Sequence, residues 1–177
     1  DAGRLYMSIL VGSSVVLLLP AVVYVWVITG RLDFEAGGIL SGAVPPAAVP
    51  WLLAAFAFGV GKAALMPLHR WLPAAMVAPT PVSALLHAVA VVKAGVFTLL
   101  MVAVYVFGLD FLAETGASVW LVWLTCFTIL ASSFVAITKD DLKARLAYST
   151  ISQLSYIVLG AAIATQMAAT GAALHIV

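Results

Sequence analysis

Apolar positions in this chain come in long runs separated by short polar breaks, and the runs set the expected elements. The first, from about Leu5 to Ile28, is long enough for a helix to cross a bilayer core, which takes about 20 apolar residues. Pro20 inside it is tolerable, because neighbouring helices absorb the lost backbone hydrogen bond. Gly30 to Asp33 ends the run, and a Gly- and Pro-rich loop carrying Asp33 and Glu35 continues to Pro46. A second run spans about Pro50 to Met66 and contains Lys62. Pro67 should break it, leaving a short second half over Leu68 to Met76. Pro79-Thr80-Pro81 makes a stiff turn, with Pro81 suited to the first turn of a third helix over about Val82 to Phe107. A loop with Asp110 and Glu114 follows, then a fourth helix over Val119 to Ile137. The hydrophilic link KDDLKAR leads to a fifth helix over Leu146 to Ala164, and GAALHIV begins another apolar run.

The expected fold is all-α. Residues 1–177 form a single transmembrane domain, a polytopic bundle of about five crossings with one helix broken at mid-membrane. Five crossings impose alternation. Arg4, Arg70 and the Lys139-to-Arg145 link fall at one end, and Arg31, Asp33, Glu35, Asp110 and Glu114 at the other. Lys and Arg are biased towards the cytoplasm, so the first, basic end is expected there and the second, acidic end across the membrane. Trp51, Trp71, Trp120 and Trp123 lie near predicted helix ends, as an interfacial belt requires.

Composition strengthens this picture. Of 177 residues, 65% are hydrophobic and 8% charged, with mean hydropathy +1.20, against roughly 25% charged in a soluble domain. Lipid must be the solvent. A net charge of +1 offers nucleic acid no basic patch, and the single cysteine, Cys126, supports neither a disulfide nor a thiolate metal site. No cofactor pattern is present. Asp1 in place of a start methionine, with no cleavable signal pattern, points to an internal segment of a longer protein.

Charge changes the picture most in one stretch. Gly61 to Gly95 holds Lys62, His69, Arg70, His87 and Lys93, with Pro67, Pro73, Pro79 and Pro81. Lys62 and Lys93 have apolar residues on both sides and cannot be placed in a loop. A lysine near the bilayer centre costs about 2.5 to 3.5 kcal/mol on insertion scales, so a functional role outweighs snorkelling. Burial lowers a lysine pKa and a nearby carboxylate raises it, which is what a proton relay requires. The seven acidic residues all lie at the terminus or in loops, so the carboxylate partner is expected from outside this chain. His87 is a candidate bridge between the lysines, its alternative being a histidine satisfied by Ser83 one turn earlier or by a backbone carbonyl. His69, nearer the cytoplasmic end, is a weaker candidate, and two histidines alone lack the ligands for a metal site. Pro67 would free backbone groups beside Lys62, as broken helices do at transporter ion sites. Tyr148, Ser152 and Ser155, with Gln153 and Tyr156 beside them, either line a water path or bond neighbouring helices.

The block GKAALMPLHRWLPAAMVAPTPVSALLHAVAVVKAG, followed by DLKARLAYSTISQLSYIVLG, closely resembles the antiporter-like family. That family comprises the large subunits of Mrp-type cation/proton antiporters and the proton-pumping membrane-arm subunits of respiratory complex I. The resemblance implies helix bundles forming half-channels around a lysine on a broken helix. Lys62 matches that lysine and His87 the histidine on the following helix, while VVKAG around Lys93 tilts the likeness towards an Mrp-type subunit of the D kind. It also implies a secondary-transport subunit rather than an enzyme, moving protons against Na+ or K+ with other subunits in a bacterial inner membrane. The rival readings are a proton-pumping, non-redox subunit of an NADH:quinone oxidoreductase-like complex and a scaffold that moves no ions. Family members have about fourteen crossings, and the likeness covers only their middle. The paired glutamate is expected upstream and a second lysine-bearing broken helix downstream.

Overall fold

A computed structural model describes residues 1–31, 33–34, 37–40, 45, 47–60, 66, 68–77, 79–88, 91–116 and 118–177, with the side chains of 77, 86–88 and 91 outside the description. Among the described residues the structure is helical throughout. Helices α1 (Ala2–Ser13) and α2 (Leu19–Thr29) join through a π-helical stretch, Ser14–Leu18, into one 28-residue rod. Then come α3 (Val49–Gly59), a 3-10 turn at Leu68–Arg70, α4 (Trp71–Ala74) and a second 3-10 turn at Ala75–Val77. After these lie α5 (Thr80–Ala88) and α6 (Val91–Met101), the latter continued by the π-helical Val102–Phe107. The chain closes with α7 (Leu109–Thr115), α8 (Val119–Thr138), α9 (Leu142–Ala162) and α10 (Gln166–Ile176).

Among the described residues, two helices are long and apolar enough to cross a membrane: Ala2–Thr29 with 28 residues and Val119–Thr138 with 20. Val92–Phe107 and Leu109–Thr115 qualify only as a pair bent by 78°. Helix α9 has the length, 21 residues, but its charged first turns and its Ser, Gln and Tyr positions dilute its hydropathy. The described helices therefore supply two to three clear spans, short of the expected five. The expected loop at Asp110 and Glu114 is the short helix α7.

The second expected helix stops early. Instead of running to Met66, α3 ends at Gly59, and Val60 turns away from helical geometry at φ −85°, ψ 71°. The end of α3 also makes a close approach: a Cβ on Gly59 would sit 2.6 Å from the backbone nitrogen of Leu18. Glycine lets the end of α3 press onto the π-helical stretch of the first rod. Helical turns are described again from Leu68, and Lys62 and Pro67, where the break was expected, lie outside the described residues.

Helix α8 is built inside-out. Thr125, Thr128 and Ser132 on one face are fully buried, while Val119, Trp123, Phe127, Leu130, Phe134 and Ile137 on the other are 56–77% exposed. The buried hydroxyls donate to carbonyls of the preceding turn (Thr125 to Leu121 O and Thr128 to Leu124 O, both 2.9 Å), which satisfies them without water. A helix that hides its hydroxyls and shows its aromatics is adapted to lipid. Across the α8–α9 seam, Ser133 Oγ and Ser152 Oγ share a hydrogen bond of 2.8 Å, and Ser152 also reaches Ile129 O at 3.4 Å.

The two ends of the bundle sort by charge as expected. At the basic end, Tyr6 of α1 meets the fully buried Trp71 edge-on, with ring centroids 5.5 Å apart. His69 lies beside Tyr148 of α9 there, and Arg145 donates from Nε (3.2 Å) and Nη2 (2.8 Å) to Lys139 O at the end of α8. At the acidic end, Phe34 packs on Tyr105. Ile39 and Leu40 both donate from their backbone nitrogens to Val106 O, at 2.9 and 3.1 Å, which ties the α2–α3 loop onto the π-helical end of α6.

Candidate functional site

Helices α6, α9 and α10 line a half-open hollow of about 210 Å³. Lys93 contributes from the first turn of α6, Ser149, Thr150 and Gln153 from α9, and His175 from the last turn of α10, among apolar walls that include Val92, Leu146, Leu154 and Ile157. Its polar groups could hold water. Lys93 is half-buried beside this hollow.

His175 and Gln153 are joined by a hydrogen bond of 3.1 Å, with His175 Nε2 donating to Gln153 Oε1. In the neutral Nε2–H tautomer that suits this bond, Nδ1 is an acceptor. The Tyr156 ring lies 6.2 Å from the imidazole. A second hollow of about 530 Å³ runs between α9 and α10 past Gly160, Ala168, Gly171 and Ala172, and it shares Gln153 and His175 with the first. The hydrogen-bonded pair is therefore a partition between the Lys93 cavity and an open groove. Close packing of α10 on α9 sets its position, because a Cβ on Gly160 would fall 2.7 Å from Ala172 Cβ.

The remaining expected site residues sort clearly. Lys62 and Pro67 lie outside the described residues; His87 sits in α5, but its side chain is not described. Ser83 is buried on α5, its backbone nitrogen donating to Pro79 O at 2.9 Å in the opening turn. Ser152 is bonded across the α8–α9 seam and Ser155 donates to Ile151 O at 3.0 Å, so both face packing rather than the Lys93 cavity. Tyr148 lies at the basic end between His69 and Lys139, whose Nζ is 5.6 Å from the ring centroid. Among the described residues no group of three or more His, Cys, Asp or Glu side chains could hold a metal. His175 is the residue that sequence reasoning missed. Its only signal was a titratable side chain in an apolar run, and nothing local links it to Gln153, 22 positions earlier.

Comparison with known proteins gives this arrangement a setting. The profile of the NADH:quinone oxidoreductase/Mrp antiporter transmembrane family matches residues 1–177. The chain is 42% identical over 144 residues to NAD(P)H-quinone oxidoreductase chain 5 of Synechocystis sp., covering 74% of this chain and 20% of that one. It is 46% identical over 117 residues to a probable K(+)/H(+) antiporter subunit of Rhizobium meliloti, covering 66% and 11%. Its fold superimposes on the Mrp complex from Dietzia sp. with a TM-score of 0.83 at 31% identity, covering 99% of this chain and 19% of that one. The chain thus spans about a fifth or less of the length of these relatives.

Proposed function

Because this chain belongs to the NADH:quinone oxidoreductase/Mrp antiporter transmembrane family, part of a multi-pass membrane subunit of multi-subunit complexes, we propose that it is the proton-carrying centre of a monovalent cation/proton antiporter subunit. In this reading Lys62 exchanges a proton with a carboxylate supplied by another part of the protein or complex. The proton then passes through water towards His87 and Lys93, and its movement is coupled to Na+ or K+ in a bacterial inner membrane.

The observation that carries this reading is the Lys93 cavity. A lysine, a glutamine, two hydroxyl residues and a histidine line one half-open hollow of about 210 Å³ between α6, α9 and α10. Lys93 shares it with the hydrogen-bonded His175–Gln153 pair, whose imidazole can accept on one nitrogen and donate from the other. The K(+)/H(+) name of the Rhizobium meliloti relative supports a monovalent cation as the exchanged ion. A second reading has a specific observation behind it: the Synechocystis relative is a chain of a quinone oxidoreductase, so the same relay could be driven by a redox partner with this subunit carrying no redox chemistry.

The test is proton flux in everted membrane vesicles containing the full-length subunit in its intact complex. Lys62→Ala should abolish flux driven by a Na+ or K+ pulse while the complex still assembles, and Lys93→Ala should reduce it less severely. Normal flux in Lys62→Ala would refute the relay and leave the scaffold reading. Flux that answers only to a quinone reductant would select the redox-driven reading.

A further inference from the structure

The cations at the two ends of the bundle differ in their partners. At the acidic end Arg31 pairs with Asp33, its Nε 3.5 Å from Oδ2. At the basic end Arg70, Lys139 and Arg145 have no ion pair with a carboxylate among the described residues. Two of these are nonetheless held in place. Arg145 donates from Nε (3.2 Å) and Nη2 (2.8 Å) to Lys139 O, which leaves its remaining N–H groups free of that carbonyl. The half-buried Lys139 holds its ammonium over the Tyr148 ring, 5.6 Å from the centroid. Cations fixed in this way lose less side-chain freedom on binding an anion than mobile ones do.

The surroundings of the pair are specific. From the turn Leu68–Arg70, the His69 ring lies 6.3 Å from that of Tyr148, and Arg70 beside it is exposed. Asp140 and Asp141 in the link are exposed as well. Asp141 caps α9 by accepting from the Lys143 backbone nitrogen at 3.3 Å, and neither carboxylate pairs with Lys139 or Arg145. Leading up to the link, Trp123, Phe127, Leu130, Phe134 and Ile137 recur every three or four residues along α8 and are 61–77% exposed. This uncharged stripe ends two residues before Lys139. Held cations at the end of an apolar stripe match a ligand with an anionic head and hydrocarbon tails. A free phosphate would use the cations alone and leave the stripe unused.

We propose that Lys139 and Arg145, with Arg70 beside them, bind the phosphodiester of an anionic phospholipid whose acyl chains lie along the Trp123-to-Ile137 stripe of α8. The open N–H groups of Arg145 and the Lys139 ammonium donate to the phosphate oxygens, in charge-assisted bonds stronger than neutral ones. Basic pockets at the ends of transmembrane helices suit such head groups, because the bilayer places phosphate at their depth. Lys139 ends α8 and Arg145 lies in the first turn of α9, so one lipid clasps the two helices where the link joins them. The lipid is then a component of the α8–α9 seam, and its role is stability rather than transport.

The full-length subunit in its intact complex, stripped of lipid in detergent, tests this. Added phosphatidylglycerol should raise its melting temperature by several degrees more than the same amount of phosphatidylcholine. Lys139→Gln/Arg145→Gln should lose at least half of that difference, and Lys139→Gln alone, which keeps the Arg145 bond, a smaller part. Arg31→Gln, at the other end, should keep all of it. Phosphatidylglycerol with a photoreactive acyl chain should label the peptide containing Phe134 and Ile137 in the parent, and several-fold less in the double variant. An undiminished phosphatidylglycerol response or labelling in the double variant would overturn the proposal. So would an equal shift from inorganic phosphate, which would mean an anion site without a lipid. Cross-links from Lys139 to an acidic segment of another subunit, in place of lipid labelling, would overturn it too.

Discussion

Gly59→Ala isolates the contact at the end of α3. The added Cβ would lie 2.6 Å from Leu18 N, 2.8 Å from Leu18 Cα and 2.8 Å from Leu18 Cβ. Two of these are backbone atoms of a helix, so no side-chain rotation relieves the overlap, and α3 must move off the Ser14–Leu18 stretch. Overpacking of this kind costs about 1–3 kcal/mol, and the intrinsic gain of alanine over glycine in a helix is about 1 kcal/mol, so the net effect should be a loss of up to about 2 kcal/mol. Gly12 in α1 and Gly171 in α10 supply controls, since a Cβ at either meets nothing within 4 Å. Gly12→Ala and Gly171→Ala should stabilise by up to about 1 kcal/mol. The assay is thermal unfolding of the purified full-length complex, read by the loss of its monodisperse peak after heating. Gly59→Ala should melt below the parent and both controls above it. A Gly59→Ala complex as stable as Gly12→Ala would refute the close packing of Gly59 on Leu18.

Two further outcomes are expected. In a double-mutant cycle, Ser133→Ala and Ser152→Ala should show a coupling of about 0.6 kcal/mol in unfolding, the average for interhelical hydrogen bonds in membranes, and a coupling of zero would mean the seam is held by shape alone. Single cysteines placed in the Lys139-to-Arg145 link of the full-length protein should react with an impermeant maleimide from the cytoplasmic face, and reaction only from the opposite face would invert the topology.

What the sequence displayed and what it concealed divide by range. Helix α8 was legible because a 20-residue apolar run needs no partner to declare itself, and its Thr and Ser positions already fell on one face. The early end of α3 was not legible: the helix was expected to run to Met66 and stops at Gly59. Gly59 packs there on Leu18, 41 residues earlier, and no local rule encodes that contact. Helix α7 was hidden by its acidic residues, which read as a loop although Gly108 and Gly116 bracket seven helical residues. The Lys93 cavity shows the limit most clearly. Lys93 stood out by its cost in lipid, whereas Gln153 and His175 acquire meaning only when α10 folds back over α9.

The tie between the α2–α3 loop and the end of α6 makes two distant places move as one. A Cβ on Gly38 would lie 2.6 Å from Gly108 N and one on Gly108 would overlap Gly37 O, so the loop and the helix end touch backbone to backbone. Val106, whose carbonyl holds Ile39 and Leu40, stands 13 positions beyond Lys93 on the same helical run, about 20 Å along it. Such a joint transmits displacement without slack. A slide or rotation of the lysine-bearing helix should therefore be readable at the far surface of the membrane, where a spectroscopic probe on Ile39 would act as the needle of a gauge whose spring lies in the bundle.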